Sequence, residues 1–331
     1  MCINPRNVHC PGSPYRQPGY IQVPCGKCIE CKIQYQNAWM IRLIEEAKCH
    51  KYVCMVTLTY NEASVPYYRF KNGDKKYRSV YARHVQDWIK RFRTNYDRSH
   101  KIPLSKKFKY FITSEYGPKT FRPHYHAIFY GLDKFAIAPL LNDWRKRFGF
   151  VHVSWIPQYD EKQLINKMRY VAKYCSKGEF ECPYVEQGYV AKTFHLVSKR
   201  LGYGYLNKLA KHHLVTSAHK YLKRYGLSDN DLDEILSKRV YILNGFAYKL
   251  PRYYCNKIFG EQTWLSTALS TRIRQKSDDL HLRQLAEIQT ERNCSEVEAS
   301  YILNCLEDEI HKRRYLQAKK RYEAFLNKSK I

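Results

Sequence analysis

An α+β fold, in which helices cover one face of an antiparallel sheet, is predicted by three features of the sequence. Segments rich in β-branched and aromatic residues alternate with segments of helical periodicity between residues 52 and 177, in the order β-α-β-β-α-β-α. The two central strands are separated by a short connection that opens with Gly117 and Pro118, which indicates a hairpin. Apolar residues make up 44% of the chain and aromatic residues 15%, enough for a packed core. This order is typical of a ferredoxin-like or RRM-like sandwich.

The first half of this unit contains three predicted strands, at residues 51–60, 108–116 and 124–131. A polar segment with the turn signal Asn72-Gly73 follows the first strand and predicts a loop or a small hairpin. Ser79 is expected to cap the next helix, whose apolar residues recur on one face.

The second half contains a predicted helix at residues 138–148, a strand at 150–157 and a helix at 160–178. The last of these helices has acidic residues at its start, lysines near its end and Gly178 in the position that usually terminates a helix.

The flanking regions are less regular. Residues 1–24 are rich in Pro and Gly and are expected to form an irregular arm, and helical periodicity begins at Gly26. Near the other end, Ser295–Glu298 form a capping box for a long helix that runs towards Lys328. We therefore expect a Cys-rich arm and helix at residues 1–50, a core at 51–180 and a mainly helical region of unknown role at 181–331.

The positive charge limits the class of partner. Lys and Arg total 58 against 30 Asp and Glu, a net charge of +28 that is spread along the whole chain. Such a surface favours a polyanion, so nucleic acid is the expected partner, with an anionic membrane or a ribosome surface as alternatives. The chain has no apolar run of about 18 residues and no apolar signal segment at its start, so we expect a cytosolic protein that does not enter a membrane.

The stretch "RPHYHAIFYG" places His124 and His126 on one face of a predicted strand. They are either two buried core histidines or two ligands of one metal ion. Glu115, at the end of the preceding strand, can supply a carboxylate if the two strands pair, and the set then suits Mg²⁺ or Mn²⁺ with open positions for substrate. The alternative for Glu115 is an ion pair with Arg122 or Lys119.

The stretch "YVAKYCSK" places Tyr170 and Tyr174 four residues apart on a predicted helix, with Lys173 and Lys177 at the same spacing on the adjoining face. Tyrosine attacks a phosphate poorly while it is protonated, and a neighbouring cation favours the phenolate. A tyrosine–phosphate ester retains the free energy of the broken phosphodiester, so a strand can be cut and rejoined. The alternative is a helix with two packed tyrosines and solvated lysines.

Together, Thr57–Tyr60, His124–His126 and Tyr170–Lys177 resemble the three motifs of HUH-type single-strand endonucleases. The tandem tyrosines and the N-terminal "VPCGKCIEC" look like those of microvirus replication initiators, especially the gokushovirus branch. The resemblance covers roughly residues 20–180. Tyr125 between the two histidines is the one departure from the usual pattern, and we expect it to face outward and to be structural.

This resemblance implies a mechanism and partners. One tyrosine nicks the single-stranded origin, keeps the 5′-phosphate and leaves a 3′-OH primer, and the second tyrosine cuts the regenerated origin so that the strand can be closed into a circle. The partners implied are single-stranded and replicative-form viral DNA, with a host helicase and polymerase, in the host bacterial cytoplasm. An HUH transposase or relaxase, and a non-catalytic RRM-like nucleic-acid-binding protein, are the alternatives.

The N-terminal cysteines are the last candidate site. In a cytosolic chain disulfides are not expected. Cys25, Cys28 and Cys31, with Cys10 or Cys2 upstream, offer four thiolates for a structural Zn²⁺ ion, although the spacing differs from that of a paired C-x-x-C ribbon.

Overall fold

The computed structural model describes residues 2, 5–9, 20–69, 76–101, 103–117, 119–157, 159–206, 228–230, 232–233, 239–259 and 263–328. The strands are β1 (Arg6–His9), β2 (Tyr20–Val23), β3 (Val53–Tyr60), β4 (Tyr67–Arg69), β5 (Lys76–Arg78), β6 (Lys109–Tyr116), β7 (Pro123–Tyr130), β8 (Gly149–Trp155), β9 (His195–Val197), β10 (Val240–Leu243) and β11 (Phe246–Lys249). The helices are α1 (Ile29–Ala47), α2 (Ala82–Ser99), α3 (Leu104–Lys107), α4 (Lys134–Arg147), α5 (Glu161–Glu181), α6 (Pro183–Glu186), α7 (Arg252–Phe259), α8 (Thr263–Arg292) and α9 (Glu296–Lys328).

The chain divides into two compact units. One comprises Gln36–Lys208, and the other comprises Met1–Tyr35 with Leu209–Ile331. The first unit extends past residue 180 because β9 pairs with β6. The three-part division expected from the sequence stays a prediction.

A five-stranded sheet in the order β8-β3-β7-β6-β9 forms the centre of the first unit, and every neighbouring pair is antiparallel. The predicted α+β class is therefore confirmed. β9 was not predicted, because three residues are too few to produce a recognisable alternation. It extends the sheet beyond β6.

Helices cover both faces of the sheet rather than the one face expected. On one face, which we call the core face, α2 and α4 pack around Trp88 and Trp144, and the indole nitrogen of Trp88 donates to the carbonyl of Leu140 at 2.8 Å. The other face, which we call the site face, is covered in part by α5 and by α1 from Gln36 onward. There the hydroxyl of Tyr130 donates to the carbonyl of Leu43 on α1 at 3.3 Å.

Three local predictions were wrong, each for a physical reason. Ser79 does not cap α2, because its buried hydroxyl accepts from the backbone N–H of Ala191 and contacts the hydroxyl of Tyr116. Helix α4 begins at Lys134, because Asp133 accepts hydrogen bonds from two backbone N–H groups there. Helix α5 continues through Gly178 to Glu181.

The flanking segments differ in how well they were predicted. The N-terminal arm is not wholly irregular, because β1 pairs with β2. The capping box is confirmed: Glu298 accepts from the backbone N–H of Ser295 at 2.9 Å, and the C-terminal region is mainly helical. The turn at Asn72-Gly73 lies outside the described residues, although β4 and β5 on either side of it pair as expected. No helix in the described part of the chain combines the length and the apolar character needed to cross a bilayer.

Candidate active site

The register of the central strands brings both histidines and Glu115 to one place. His124 on β7 lies opposite Glu115 on β6, and His126 lies opposite Thr113 on β6 and Thr57 on β3. Directly opposed residues in an antiparallel pair point to the same face, so all of these side chains belong to the site face.

Glu115 bridges the two histidines with a single oxygen. Its Oε2 lies 3.1 Å from Nε2 of His124 and 2.9 Å from Nε2 of His126. The carboxylate is 5% exposed, and the side chain of His124 is the most exposed of the three at 21%. Arg122 donates instead to Glu62 and to a backbone carbonyl, so it is not the partner of Glu115.

The hydrogen bonds around His124 require a cation at this point. Its Nδ1 lies 3.0 Å from the carbonyl oxygen of Arg122, which can only accept, so Nδ1 carries the hydrogen. In a neutral imidazole Nε2 is then a lone pair, and it faces the carboxylate oxygen of Glu115. Two acceptors repel at this distance unless a proton or a metal ion lies between them. Two imidazole nitrogens and one carboxylate, on strands that fix their positions, therefore fit a divalent metal ion.

Both tyrosines of α5 pack against His126. The ring of Tyr174 stacks on the imidazole with centroids 4.1 Å apart and an interplanar angle of 12°. Tyr170 meets the same ring edge-on, with centroids 5.5 Å apart, and the two tyrosine rings are 5.1 Å apart. Tyr170 is half-buried whereas Tyr174 is 5% exposed.

The two lysines of the tyrosine motif can be described unequally. Lys173 is only 2% exposed, and its Nζ lies 5.6 Å from the centroid of the Tyr174 ring, so a cation lies close to that phenol. The amide of Gln36 on α1 donates to the carbonyl of Lys173 at 3.4 Å and helps to hold this turn of α5. Lys177 belongs to α5, but its side chain lies outside the described residues.

Tyr125 is buried rather than outward-facing. It projects from β7 into the core face, is fully buried, and its hydroxyl contacts the hydroxyl of Tyr60 at 3.0 Å and accepts from the backbone N–H of Tyr81 at 3.0 Å. Burial raises the pKa of Tyr125 to about 12, so it stays a neutral phenol. The expectation of a structural role agrees with this position, but the expected exposure was wrong because α2 and α4 cover that face.

Two exposed side chains beside the histidines were missed from the sequence. On β8, Phe150 lies opposite Thr59 and His152 lies opposite Thr57, so both belong to the site face. Phe150 is 67% exposed and His152 is also exposed. A large apolar ring left in water next to a candidate phosphate site is a feature that single-strand-binding surfaces use for base stacking. The alternation in "GFVHVSW" was the available signal, but it does not reveal which face of an edge strand stays open.

The N-terminal cysteines form a second cluster, in the other unit. The Sγ atoms of Cys2, Cys25, Cys28 and Cys31 all lie within 4.8 Å of one another. Cys2 is thus the upstream cysteine that joins the group, and Cys10 lies outside the described residues. Hydrogen bonds from the backbone N–H groups of Cys28 and Lys27 lower the pKa of Cys25 to about 6, whereas burial raises the pKa of Cys31 to about 12.

The core of the chain matches a known family. Residues 53–179, which include both histidines, Glu115 and both tyrosines, match the family model of the replication-associated protein ORF2. Over these residues the chain belongs to that family. The replication-associated match therefore covers the whole of the candidate active site.

Three replication-associated proteins of microviruses are similar to the chain. The protein ORF2 of Spiroplasma virus 4 is 32% identical over 111 residues, which are 33% of this chain and 32% of that protein. VP4 of Bdellovibrio phage phiMH2K is 22% identical over 84% of this chain and 79% of its own length, and ORF4 of Chlamydia phage 1 is 24% identical over 78% and 61%. The expected resemblance to microvirus replication initiators is confirmed. No solved structure matches the chain.

Proposed function

We propose that this chain is a viral replication initiator that nicks single-stranded origin DNA through a 5′-phosphotyrosine intermediate and later rejoins it. The observation that carries the proposal is the packing of Tyr170 and Tyr174 on His126, which shares one oxygen of Glu115 with His124. Two nucleophiles on one helix, beside one set of metal-ligating groups, suit a reaction that is carried out twice on the same strand.

His124, His126 and Glu115 would hold the divalent cation, Mg²⁺ or Mn²⁺. When bound, such an ion supplies Lewis-acid polarisation of the scissile phosphate. The carbonyl of Arg122 fixes the tautomer of His124 and so leaves its Nε2 free of hydrogen for that purpose.

The tyrosines perform the transfer itself. The phenol oxygen of one tyrosine attacks phosphorus, the bond to the 3′ oxygen breaks, and that oxygen takes up a proton to become the 3′-OH primer. Lys173 lies beside the Tyr174 ring and favours the phenolate there, and we assign the same role to Lys177. The second tyrosine then cuts the regenerated origin, and the released 3′-OH attacks the first phosphotyrosine, restoring the phosphodiester and the free phenol.

The partners follow from this reaction. The net charge of +28 suits binding to the DNA backbone, in single-stranded and replicative-form viral DNA. A host helicase and polymerase would unwind and extend the DNA at the nick, in the cytoplasm of the host bacterium. The names of the similar proteins support a role in viral replication.

A cleavage assay tests the proposal. The full chain is incubated with a 5′-labelled single-stranded oligonucleotide from the viral origin, with Mn²⁺ or with a chelator. We expect a short labelled product in Mn²⁺ only, and none with His126→Ala. An RRM-like binding protein would bind the oligonucleotide and leave it intact. A transposase or relaxase would cut oligonucleotides from other DNA ends in preference to the origin.

A further inference from the structure

We propose that Cys2, Cys25, Cys28 and Cys31 form a structural zinc site that ties the N-terminus of the chain to the start of α1. This inference is independent of the proposed nicking reaction, because the cysteines and the active-site residues belong to different units.

The spacing of the sulfur atoms matches a tetrahedral ion. Four thiolates at the usual Zn–S distance of about 2.3 Å are separated from one another by about 3.8 Å. The Sγ atoms of Cys2 and Cys28 are 3.8 Å apart, and those of Cys25 and Cys31 are 4.0 Å apart. A disulfide needs about 2.0 Å, so these pairs are spaced for a shared ion rather than for a covalent bond.

The backbone around the sulfurs also suits thiolates. Sγ of Cys25 accepts from the N–H groups of Lys27 and Cys28 at 3.4 and 3.3 Å, and Sγ of Cys2 accepts from the N–H of Cys25 at 3.2 Å. The tight turn that allows this is made at Gly26, whose φ of +74° lies in the region that glycine favours.

The start of α1 adds a second source of stabilisation. The carbonyl of Cys28 accepts the first hydrogen bond of the helix, from the N–H of Lys32 at 3.0 Å, and Cys31 lies in the first turn. Negative charge is favoured at the N-terminus of a helix of this length. Cys25 and Cys31 are both buried, so an ion held there is shielded from solvent, as expected of a structural rather than a catalytic zinc site.

The test measures zinc in the purified full-length chain. We expect about one zinc ion per chain in the wild-type protein. The His126→Ala variant should retain it, which excludes the active site as its location. The Cys28→Ser variant should lose most of it, whereas Cys305→Ser, a change at an exposed cysteine on α9, should not.

A second measurement keeps the proposal testable if Cys28→Ser folds poorly. In the His126→Ala background, a chelator should lower the melting temperature and expose four additional thiols to a thiol reagent, and added Zn²⁺ should reverse both effects. A zinc-free wild-type chain that takes up no added Zn²⁺ would overturn the proposal. So would a disulfide between any two of these cysteines, or full zinc content in Cys28→Ser.

Discussion

The ring of Tyr174 lies face to face with the imidazole of His126, at 4.1 Å between centroids, while Tyr170 meets the same imidazole edge-on. A single histidine that also contacts Glu115 therefore touches both candidate nucleophiles. Because the two rings use different surfaces of His126, the two tyrosines are not equivalent, although the sequence presents them as a symmetrical pair.

The difference in burial predicts that Tyr170 attacks first. Tyr170 is half-buried, whereas the ring of Tyr174 is enclosed and must move before its hydroxyl can meet a phosphate. Tyr170→Phe should slow the first nick by at least about tenfold, roughly 1.4 kcal/mol of activation free energy, relative to Tyr174→Phe. Single-turnover cleavage rates measure this. Equal rates in the two variants would show that burial does not order the tyrosines.

The bridging position of Glu115 predicts a loss of metal affinity when its charge is removed. Glu115→Gln keeps the size of the side chain but removes a carboxylate that faces both imidazoles. We expect Mn²⁺ affinity to fall at least about tenfold, with cleavage partly restored at high Mn²⁺. Glu161→Gln, at the exposed start of α5, is the matched control. Unchanged Mn²⁺ binding in Glu115→Gln would remove Glu115 from the metal site.

The exposed ring of Phe150 predicts a role in binding single-stranded DNA. Stacking of one base on an aromatic side chain is worth about 1–3 kcal/mol, so Phe150→Ala should weaken binding by about fivefold or more. The control is Phe135→Ala on α4, where the ring is 79% exposed. Fluorescence anisotropy with a labelled oligonucleotide in chelator measures binding without cleavage. Equal affinities for the two variants would show that Phe150 does not contact DNA.

Buried Glu46 predicts a pH-dependent contribution to stability. Burial alone would raise its pKa, but hydrogen bonds from His50, Lys109 and the N–H of Gly202 outweigh it and lower the pKa below 4.5. A carboxyl group whose pKa falls on folding stabilises the protein above its unfolded-state pKa, and this contribution is lost as the pH falls through the folded-state value.

Glu46→Gln should therefore reduce the free energy of unfolding by roughly 2 kcal/mol at pH 7 and by less below about pH 4. Urea unfolding at the two pH values measures the difference. The same loss of stability at both values would show that the charge of Glu46 does not stabilise the fold.

The parts of the site that the sequence predicted depend on local geometry. The two-residue period of β7 puts His124 and His126 on one face, and a short hairpin brings Glu115 opposite His124. The helical spacing likewise puts Tyr170 and Tyr174 on one side of α5. Each of these relationships involves one element or two neighbouring elements.

The parts that the sequence did not predict depend on how distant elements pack. The stacking of Tyr174 and the burial of Lys173 follow from the docking of α5 on the site face, and Gln36 reaches Lys173 from a helix 137 positions earlier in the chain. Ser79 was predicted as a helix cap, but Tyr116 and Ala191 engage its hydroxyl from segments far along the chain. No local pattern encodes such contacts.

The most direct test of the proposed function is the search for a covalent protein–DNA adduct on a denaturing gel. The chain is incubated with 3′-labelled single-stranded origin DNA and Mn²⁺, because the label on the 3′ side of the nick stays with the phosphotyrosine. We expect a labelled adduct with the wild-type chain and none with Tyr170→Phe combined with Tyr174→Phe, while the affinity for DNA is retained. A normal adduct in the double variant would contradict the assignment of these tyrosines as the nucleophiles.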